Sequence, residues 1–374
     1  MLIGAPKEIF PGEKRTPLIP SSVDRLVKRG IDVQVESGLG KSIGFSDEEY
    51  TKVGAKVTDR ATILSTSDMI LRLRLPPKEE ISQLKKDSIH ISFLDPFNET
   101  GLINEFVNQR VSAISMEMIP RTTFAQKMDA LSSQANLAGY VMVILAAERL
   151  NKIFPMMNTP AGTIAPVRVF IIGAGVAGLQ AIATAKRLGA RVEAFDTRAV
   201  VKEQVQSLGG KFVEIDLGET GQTKDGYAKA LTPEQLDKQR QGMAKVCSQS
   251  DIVITTAQLF GRKAPIVVTK EMVAQMKPGS IIVDMAVESG GNVEGSRLNE
   301  EVDVNGVTII GLGNLPSRVA FHASQMYSSN LVNLIETYWD KDAKVFKLNP
   351  EDEIIKGCLL THQGQIVNPQ LKKT

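Results

Sequence analysis

The chain has 374 residues, 44 lysines and arginines against 42 aspartates and glutamates, and a formal net charge of +2. At roughly 100–200 residues per domain it holds material for two or three cores, and its near-balanced charge gives no electrostatic reason to bind nucleic acid. Two cysteines (Cys247, Cys358) are too few for a disulfide framework, and three histidines (His90, His322, His362) without ligand-pair spacing argue against a zinc or other metal site.

The first residues, MLIGAPKEIFPGEKR, are broken by Pro6, Glu8, Pro11 and Gly12, so they lack the apolar core of a signal peptide and a cytoplasmic protein is expected. Strands are then predicted at 2–5, 32–36, 68–75, 88–94 and 111–118. Between them lie a helix that follows Pro20-Ser21-Ser22 and stops at Arg29-Gly30, and helices at 47–53, 79–86 and 99–109. That alternation argues for βαβ units and a largely parallel sheet. A proline-free helical stretch at 130–150 follows, and the segment 155–166 (PMMNTPAGTIAP) breaks the pattern.

The alternation then restarts. Strands are expected at 167–172, 191–195, 211–215, 252–255, 280–284 and 307–311, with helices at 176–188, 200–207, 233–248 and 269–276. The stretch 169–185, the nearest to a membrane span, is interrupted by Gly173, Gly175 and Gly178 and falls short of the roughly 20 apolar residues a span needs. It reads as a buried strand followed by a buried helix. A last helix, 323–339, carries Met326, Asn330, Asn333 and Leu334, so its inner face is not cleanly apolar. The fold expected is α/β, with two Rossmann-like, doubly wound parallel-sheet domains: a first at 1–136, discontinuous and completed by 326–374, and a second at 137–325.

The sharpest motif is Gly173-Ala174-Gly175-Val176-Ala177-Gly178, which follows one predicted strand, opens a helix, and has Asp196 ending the next strand 18 residues beyond its third glycine. This is the dinucleotide fingerprint in its required context. Gly173 makes the tight turn, Gly175 lets backbone approach a pyrophosphate, and Gly178 allows close packing of helix on strand. The helix start offers N–H donors to phosphate. Asp196 can accept both hydroxyls of an adenine ribose and repels a 2′-phosphate, so NAD is favoured over NADP; Arg198 nearby weakens that discrimination. Gly40-Lys41-Ser42 resembles the end of a P-loop, but the glycine needed five positions earlier is Val35, and the segment reads as a turn. Ala257, Gln258 and Leu259 after the fourth strand, and 286–291 after the fifth, fall at the carboxyl edge of the sheet, where they can wall a nucleotide site or serve as plain loops.

Two polar segments stand outside this frame. Residues 120–136 pack Arg121, Gln126, Asp129 and Ser132 between a strand and an apolar helix; Asp129 and Ser132 can cap that helix, whereas Arg121 and Gln126 need another reason. No histidine or cysteine lies nearby, which suits a site that positions a cofactor carrying the hard chemistry. The glycine-rich stretch 218–231 is longer than an ordinary connection and reads as a lid or as a surface excursion.

With these residues the chain closely resembles, essentially end to end, the NAD(H)-binding first section (domain I) of the alpha subunit of proton-translocating NAD(P) transhydrogenases. The likeness is carried by PKE at 6–8, GEKR at 12–15, PRTTFAQKMDALSSQANLAGY at 120–140 and FPMMNTPAGTIAP at 154–166, and by GAGVAGLQAIATAKRLGA at 173–190 and DTRAVVKEQVQSLGGKF at 196–212. DGYAKAL at 225–231, MKPGSIIVDMAVESGGN at 276–292 and NLPSRVA at 314–320 complete it. The resemblance implies that Arg121, Gln126, Asp129 and Ser132 hold the nicotinamide, its ribose and the pyrophosphate as the catalytic loop. It gives Val176, Asp196, Thr197 and Arg198 contacts to pyrophosphate and adenosine, and puts Gly226 and Tyr227 on a loop that closes over the nucleotide. It further implies a homodimer that passes hydride between NADH and NADP⁺, with NADP(H) held on a partner's domain III. A separate membrane domain II would couple this to proton translocation, so attachment to the inner membrane would be through partner subunits. The related alanine dehydrogenases, the alternative reading, have a lysine, a Phe-Leu-His run and an aspartate where this chain has Arg72 and Arg74, Phe93-Leu94-Asp95, and Glu288 before Ser289-Gly290-Gly291. Without that histidine, proton transfer to and from an amino acid lacks its natural agent near neutral pH.

Overall fold

The computed structural model describes residues 1–218 and 231–373, which fall into two compact units, Met1–Gln134 with Ser317–Thr374, and Ala135–Pro316. In the first unit, strands β1 (Leu2–Ala5), β2 (Asp32–Glu36), β3 (Lys56–Thr58), β4 (Met69–Leu71), β5 (Ile89–Ser92) and β6 (Ser112–Ser115) alternate with helices α1 (Pro20–Val27), α2 (Asp47–Lys52), α3 (Arg60–Thr66), α4 (Lys78–Ile81) and α5 (Thr100–Asn108). The sheet runs β3-β2-β1-β4-β5-β6, all parallel. Parallel strands are covered on both faces, which is why short apolar runs such as Met69-Ile70-Leu71 suffice to make them.

Local chemistry sets the helix starts. Ser46 and Glu49 form a reciprocal capping box on α2. Asp59 accepts the Thr62 amide at 2.9 Å and starts α3. β3 and α3 have no counterpart among the expected elements, because a three-residue edge strand carries almost no periodic signal. Several strands are shorter than expected, β5 and the later strand Lys211–Phe212 among them. β4 ends at Leu71 because the chain turns so that Leu73 N–H donates to the Glu8 carboxylate at 2.6 Å, and a 3₁₀ turn, Met116–Met118, replaces the end of the strand expected at 111–118.

Helix α6 (Ala130–Arg149) carries the chain from the first unit into the second. By length and composition α6, rather than the stretch at 169–185, is long and apolar enough to cross a membrane, yet half of its most apolar window is buried, as in a core helix. Where only a break was expected, β7 (Met157–Thr159) and β8 (Gly162–Ile164) form an antiparallel hairpin. The second sheet then builds from β9 (Arg168–Ile172), α7 (Val176–Arg187), β10 (Arg191–Phe195), α8 (Lys202–Ser207), β11 (Lys211–Phe212), α9 (Pro233–Gln249), β12 (Ile252–Thr255), α10 (Lys270–Ala274), β13 (Ile281–Asp284), β14 (Glu300–Val304) and β15 (Val307–Gly311). Its order is β11-β10-β9-β12-β13-β15-β14, parallel except where β14 closes the edge antiparallel to β15. β14, sequence EEVDV, has no buried residue, and for that reason its pattern does not stand out in the sequence. The core joins Phe170, Ile172, Val253, Ile282 and Ile309 to Met243 and Cys247 of α9. The chain then returns to the first unit through α11 (Ala320–Tyr338).

Within the second unit α6 and α7 meet backbone to backbone: a Cβ added at Gly139 would lie 2.3 Å from the Ala177 carbonyl oxygen. Gly139→Ala is therefore expected to lower stability by about 1–3 kcal/mol through overpacking, measurable as a lower denaturation midpoint with an unchanged m-value.

Candidate functional site

In the second unit the strand order reverses on either side of β9, and the carboxyl ends of β9, β10 and β12 carry the fingerprint residues. Gly173 turns with φ +95°, a left-handed conformation that glycine adopts without penalty. A Cβ on Gly178 would sit 1.9 Å from the Gly173 carbonyl oxygen. Only glycine at 178 lets α7 sit this close to the end of β9. Gly175 is the N-cap residue of α7, and Val176 in its first turn is 37% exposed. The start of α7 thus presents its first amides at the sheet edge, where a diphosphate is stabilised by N–H donors and the helix dipole.

Asp196, at the end of β10, is buried and fixed. Its Oδ2 accepts the Ala174 amide at 2.7 Å, which ties the first glycine turn to the next strand. The Arg198 guanidinium grips the same carboxylate through Nε at 2.9 Å and Nη2 at 2.8 Å. That charge-assisted grip raises the already high pKa of Arg198. Thr197, between them, is partly exposed.

After β12, Ala257 is clamped by the last residue of the 276–292 motif, for which the motif by itself suggests no role. The Asn292 amide accepts from Ala257 N at 3.0 Å and donates to the carbonyls of Ala257 and Pro265, both at 2.8 Å. Asn292 is held in turn by the fully buried Asp284 at the end of β13, whose Oδ2 accepts the Asn292 amide N–H at 2.9 Å and whose Oδ1 accepts that of Ala286 at 3.0 Å. Gln258 is exposed and Leu259 partly so. The structure therefore brings Gly173, Gly175, Val176, Gly178, Asp196, Thr197, Arg198, Ala257, Gln258 and Leu259 to one edge of one sheet. Gly226 and Tyr227 lie outside the described residues.

The other four predicted residues belong to the first unit. Arg121 is exposed, and Gln126 opens a 3₁₀ turn, Gln126–Met128, with its side chain toward solvent. Asp129 caps α6: Oδ1 accepts the Ser132 amide at 2.8 Å and Oδ2 the Ser132 hydroxyl at 2.6 Å. The turn is held from below by α11. Asn330 and Asn333 donate their amides to the Lys127 carbonyl at 3.0 and 2.9 Å, and Asn330 Oδ1 accepts the Ser133 hydroxyl at 2.7 Å. These asparagines explain why the inner face of α11 is not apolar. Polar residues three apart on a largely buried helix were the available signal for them.

The first unit has its own sheet edge, and its own charges occupy it. The Arg15 fork takes the Glu13 carboxylate through Nε at 2.8 Å and Nη2 at 2.7 Å, while Nη1 reaches Gln134 at 2.8 Å. Arg74 adds a second cation to Glu13 at 3.1 Å. Burial alone would raise the Glu13 pKa, but hydrogen bonds and charge from Arg15, with the charge of Arg74, hold it down to about 2. Arg72 is buried and paired with Glu80. Glu117 accepts the amides of Leu94 and Asp95 at 2.8 and 2.6 Å. Glu8 accepts the amide of Leu73, and desolvation lifts its pKa to about 6 against the charge of Arg72.

This edge-occupied double fold, with a glycine turn and buried acid at the second switch point, defines an α/β dinucleotide-fold protein of the alanine dehydrogenase/PNT class. The N-terminal domain of that family matches residues 4–138 and its C-terminal domain residues 142–369. The chain is 43% identical to the first section of NAD(P) transhydrogenase subunit alpha from Rhodospirillum rubrum, covering 99% of both, and 43% identical to the Rickettsia prowazekii protein of the same description, covering 98% of this chain and 96% of that one. A transhydrogenase structure from Sinorhizobium meliloti superposes with a TM-score of 0.89 at 44% identity, covering 98% of this chain and 100% of that one. An L-alanine dehydrogenase structure gives a TM-score of 0.83 at 25% identity, covering 100% of this chain and 98% of that one. The chain belongs to the NAD(P) transhydrogenase alpha-subunit family, and with it to the oxidoreductases.

Glu8 supplies a pH test of the first unit's edge. Its pKa is about 6 in the fold against an ordinary 4.5, so the folded state takes up a proton before the unfolded one as pH falls. The native protein gains up to about 2 kcal/mol from this group between pH 7.5 and pH 4.5. Glu8→Gln cannot gain it. In denaturant titrations the variant is expected to lose ground to the parent by about that amount over this range; a constant difference would refute the assignment.

Proposed function

We propose that this chain is the NAD(H)-binding subunit of a proton-translocating transhydrogenase, exchanging hydride between NADH and NADP⁺ held on a partner subunit. The observation that carries the reading is the Gly173–Gly178 turn with Asp196 at a sheet switch point, in a chain matched end to end by the first section of a transhydrogenase alpha subunit. The residues fit a dinucleotide. Gly178 leaves no room for a side chain, Gly173 takes the required φ, and the start of α7 offers donors for a diphosphate. When bound, the nicotinamide supplies the hydride chemistry.

The chain's own work is to bind, orient and present. In this reading Gly175, Val176 and the α7 amides take the diphosphate, Asp196 with Thr197 and Arg198 takes the adenosine, and Ala257, Gln258 and Leu259 wall the site. Arg121, Gln126, Asp129 and Ser132 orient the nicotinamide half. Asp129 and Ser132 spend their mutual hydrogen bonds on the helix cap, so the exposed Arg121 and Gln126 are the groups turned outward. Gly226 and Tyr227, outside the described residues, are assigned to the nucleotide side of the same reading. Hydride transfer requires the two nicotinamides to meet at roughly 3–3.5 Å, so the site opens onto another protein.

The NADP(H)-binding domain III, the membrane domain II and inner-membrane attachment through them belong to the same proposal. It is supported by a 40% identical Haemophilus influenzae relative, named NAD(P) transhydrogenase subunit alpha, of which this chain covers 72%. A homodimer is included in the reading too; the β7–β8 hairpin offers apolar surface for a second copy, with Met156 61%, Met157 44% and Ile164 44% exposed. An amino-acid dehydrogenase reading finds less support. Arg15 holds an internal carboxylate, Glu13, and Asp95 stands where that chemistry needs a histidine.

Gln126→Asn is expected to keep NADH binding largely intact and to abolish hydride transfer to NADP⁺ in a complex reconstituted with the NADP-binding and membrane partners. Unchanged turnover removes Gln126 from the site, and NADH-dependent turnover with pyruvate and ammonia, without partners, replaces the proposal by the dehydrogenase reading.

A further inference from the structure

Asp196 is the proposed acceptor for the adenine ribose hydroxyls, yet its carboxylate is already full. Oδ1 accepts from Arg198 N and Arg198 Nε, both at 2.9 Å; Oδ2 accepts from Ala174 N at 2.7 Å and Arg198 Nη2 at 2.8 Å. A carboxylate offers about four lone-pair positions, so a ribose diol has none to take unless a donor leaves. Two of the four donors are backbone amides, Ala174 N in the glycine turn and Arg198 N just past the end of β10, and cannot move without unmaking the fold. The other two are carried by one guanidinium at the end of a side chain, and it can leave both oxygens at once. The same Nη2 lies 3.9 Å from where a Cβ on Gly175 would stand. The guanidinium therefore lies across the ground between Asp196 and the start of α7, where the adenosine and diphosphate would lie.

We propose that Arg198 is a specificity-determining residue that changes partners when the nucleotide arrives. This rests on the NAD(H) reading of the site. In the free protein its guanidinium neutralises Asp196 and fills the ribose position. In the complex it yields the two oxygens to the ribose hydroxyls and turns to the nucleotide's own anionic groups. Binding is then an exchange of one bidentate ion pair for a diol on the carboxylate and an arginine–phosphate contact, phosphate matching the guanidinium fork as carboxylate does. The exchange has a consequence for selectivity. A bare aspartate repels a 2′-phosphate; an aspartate with a guanidinium beside it does so far less, because the pair carries no net charge. Arg198 thus sets how strictly the site refuses NADP(H).

The test uses the intact protein labelled with ¹⁵N at arginine, the Arg198 Nε–H resonance being identified by its absence in Arg198→Lys. In the free protein that proton is expected to be protected from exchange; saturation with NADH should abolish the protection or move the resonance. In parallel, NADH and NADPH dissociation constants are measured by nucleotide fluorescence. Arg198→Met should widen discrimination against NADPH by about tenfold or more, since like charges brought together are strongly disfavoured, with Arg198→Lys in between. An Nε–H signal unmoved at NADH saturation, or a discrimination ratio unchanged in a folded Arg198→Met protein, overturns the exchange while leaving NAD(H) binding intact. A parent protein that binds neither nucleotide overturns the NAD(H) reading, and the exchange with it.

Discussion

The whole carboxyl edge of the second unit's sheet hangs on one close approach, that of Gly178 to the carbonyl of Gly173. A methyl group at 178 would stand 1.9 Å from that oxygen, so any other residue would push the start of α7 off the end of β9. With glycine there, the helix begins where the strand stops and its first amides face the switch point of the sheet. The Ala174 amide comes within 2.7 Å of Asp196 for the same reason. Turn, helix start and acid are thereby tied into one piece, with the first helical amides held at the end of the sheet.

The first unit uses the same topology to the opposite effect. Its strand order also reverses, between β1 and β4, and the loops at that edge are rich in charge. The charges answer one another: Glu13 with Arg15 and Arg74, Arg72 with Glu80, Glu8 with the amides after β4. A buried carboxylate is tolerable only with such partners. The edge is accordingly spent on holding the fold, and the exposed turn at Gln126 is braced from α11 by Asn330 and Asn333.

Much of this is legible in the chain alone. The fold class follows from strand–helix alternation and from the GAGVAG turn, because close backbone approach imposes glycine at fixed spacings, while the family follows from the resemblance that motifs such as PRTTFAQKMDALSS carry. Short or solvent-facing elements are not legible: β3 has three residues, β14 no buried one, and β7–β8 reads as an interruption. Asn292 and Asp284 fall inside the motif at 276–292, but nothing in that motif shows that they bond each other and the loop after β12. A buried amide that clamps a loop 35 residues away has no local signature.

Residue order alone sets the local demands: where glycine must stand, where a helix must start, which segments must be buried. Tertiary structure decided which partners the charged groups take. Asp196 could be named as a ribose acceptor from its position after a strand, but that its carboxylate is already filled, by the Ala174 amide 22 residues upstream as well as by neighbouring Arg198, follows only once the glycine turn and the strand end share one place. Likewise Arg74 and Glu13, 61 residues apart, come within 3.1 Å of each other only on folding. Ion pairing and hydrogen bonding depend on distances of about 3 Å across the fold, and sequence order does not encode those distances.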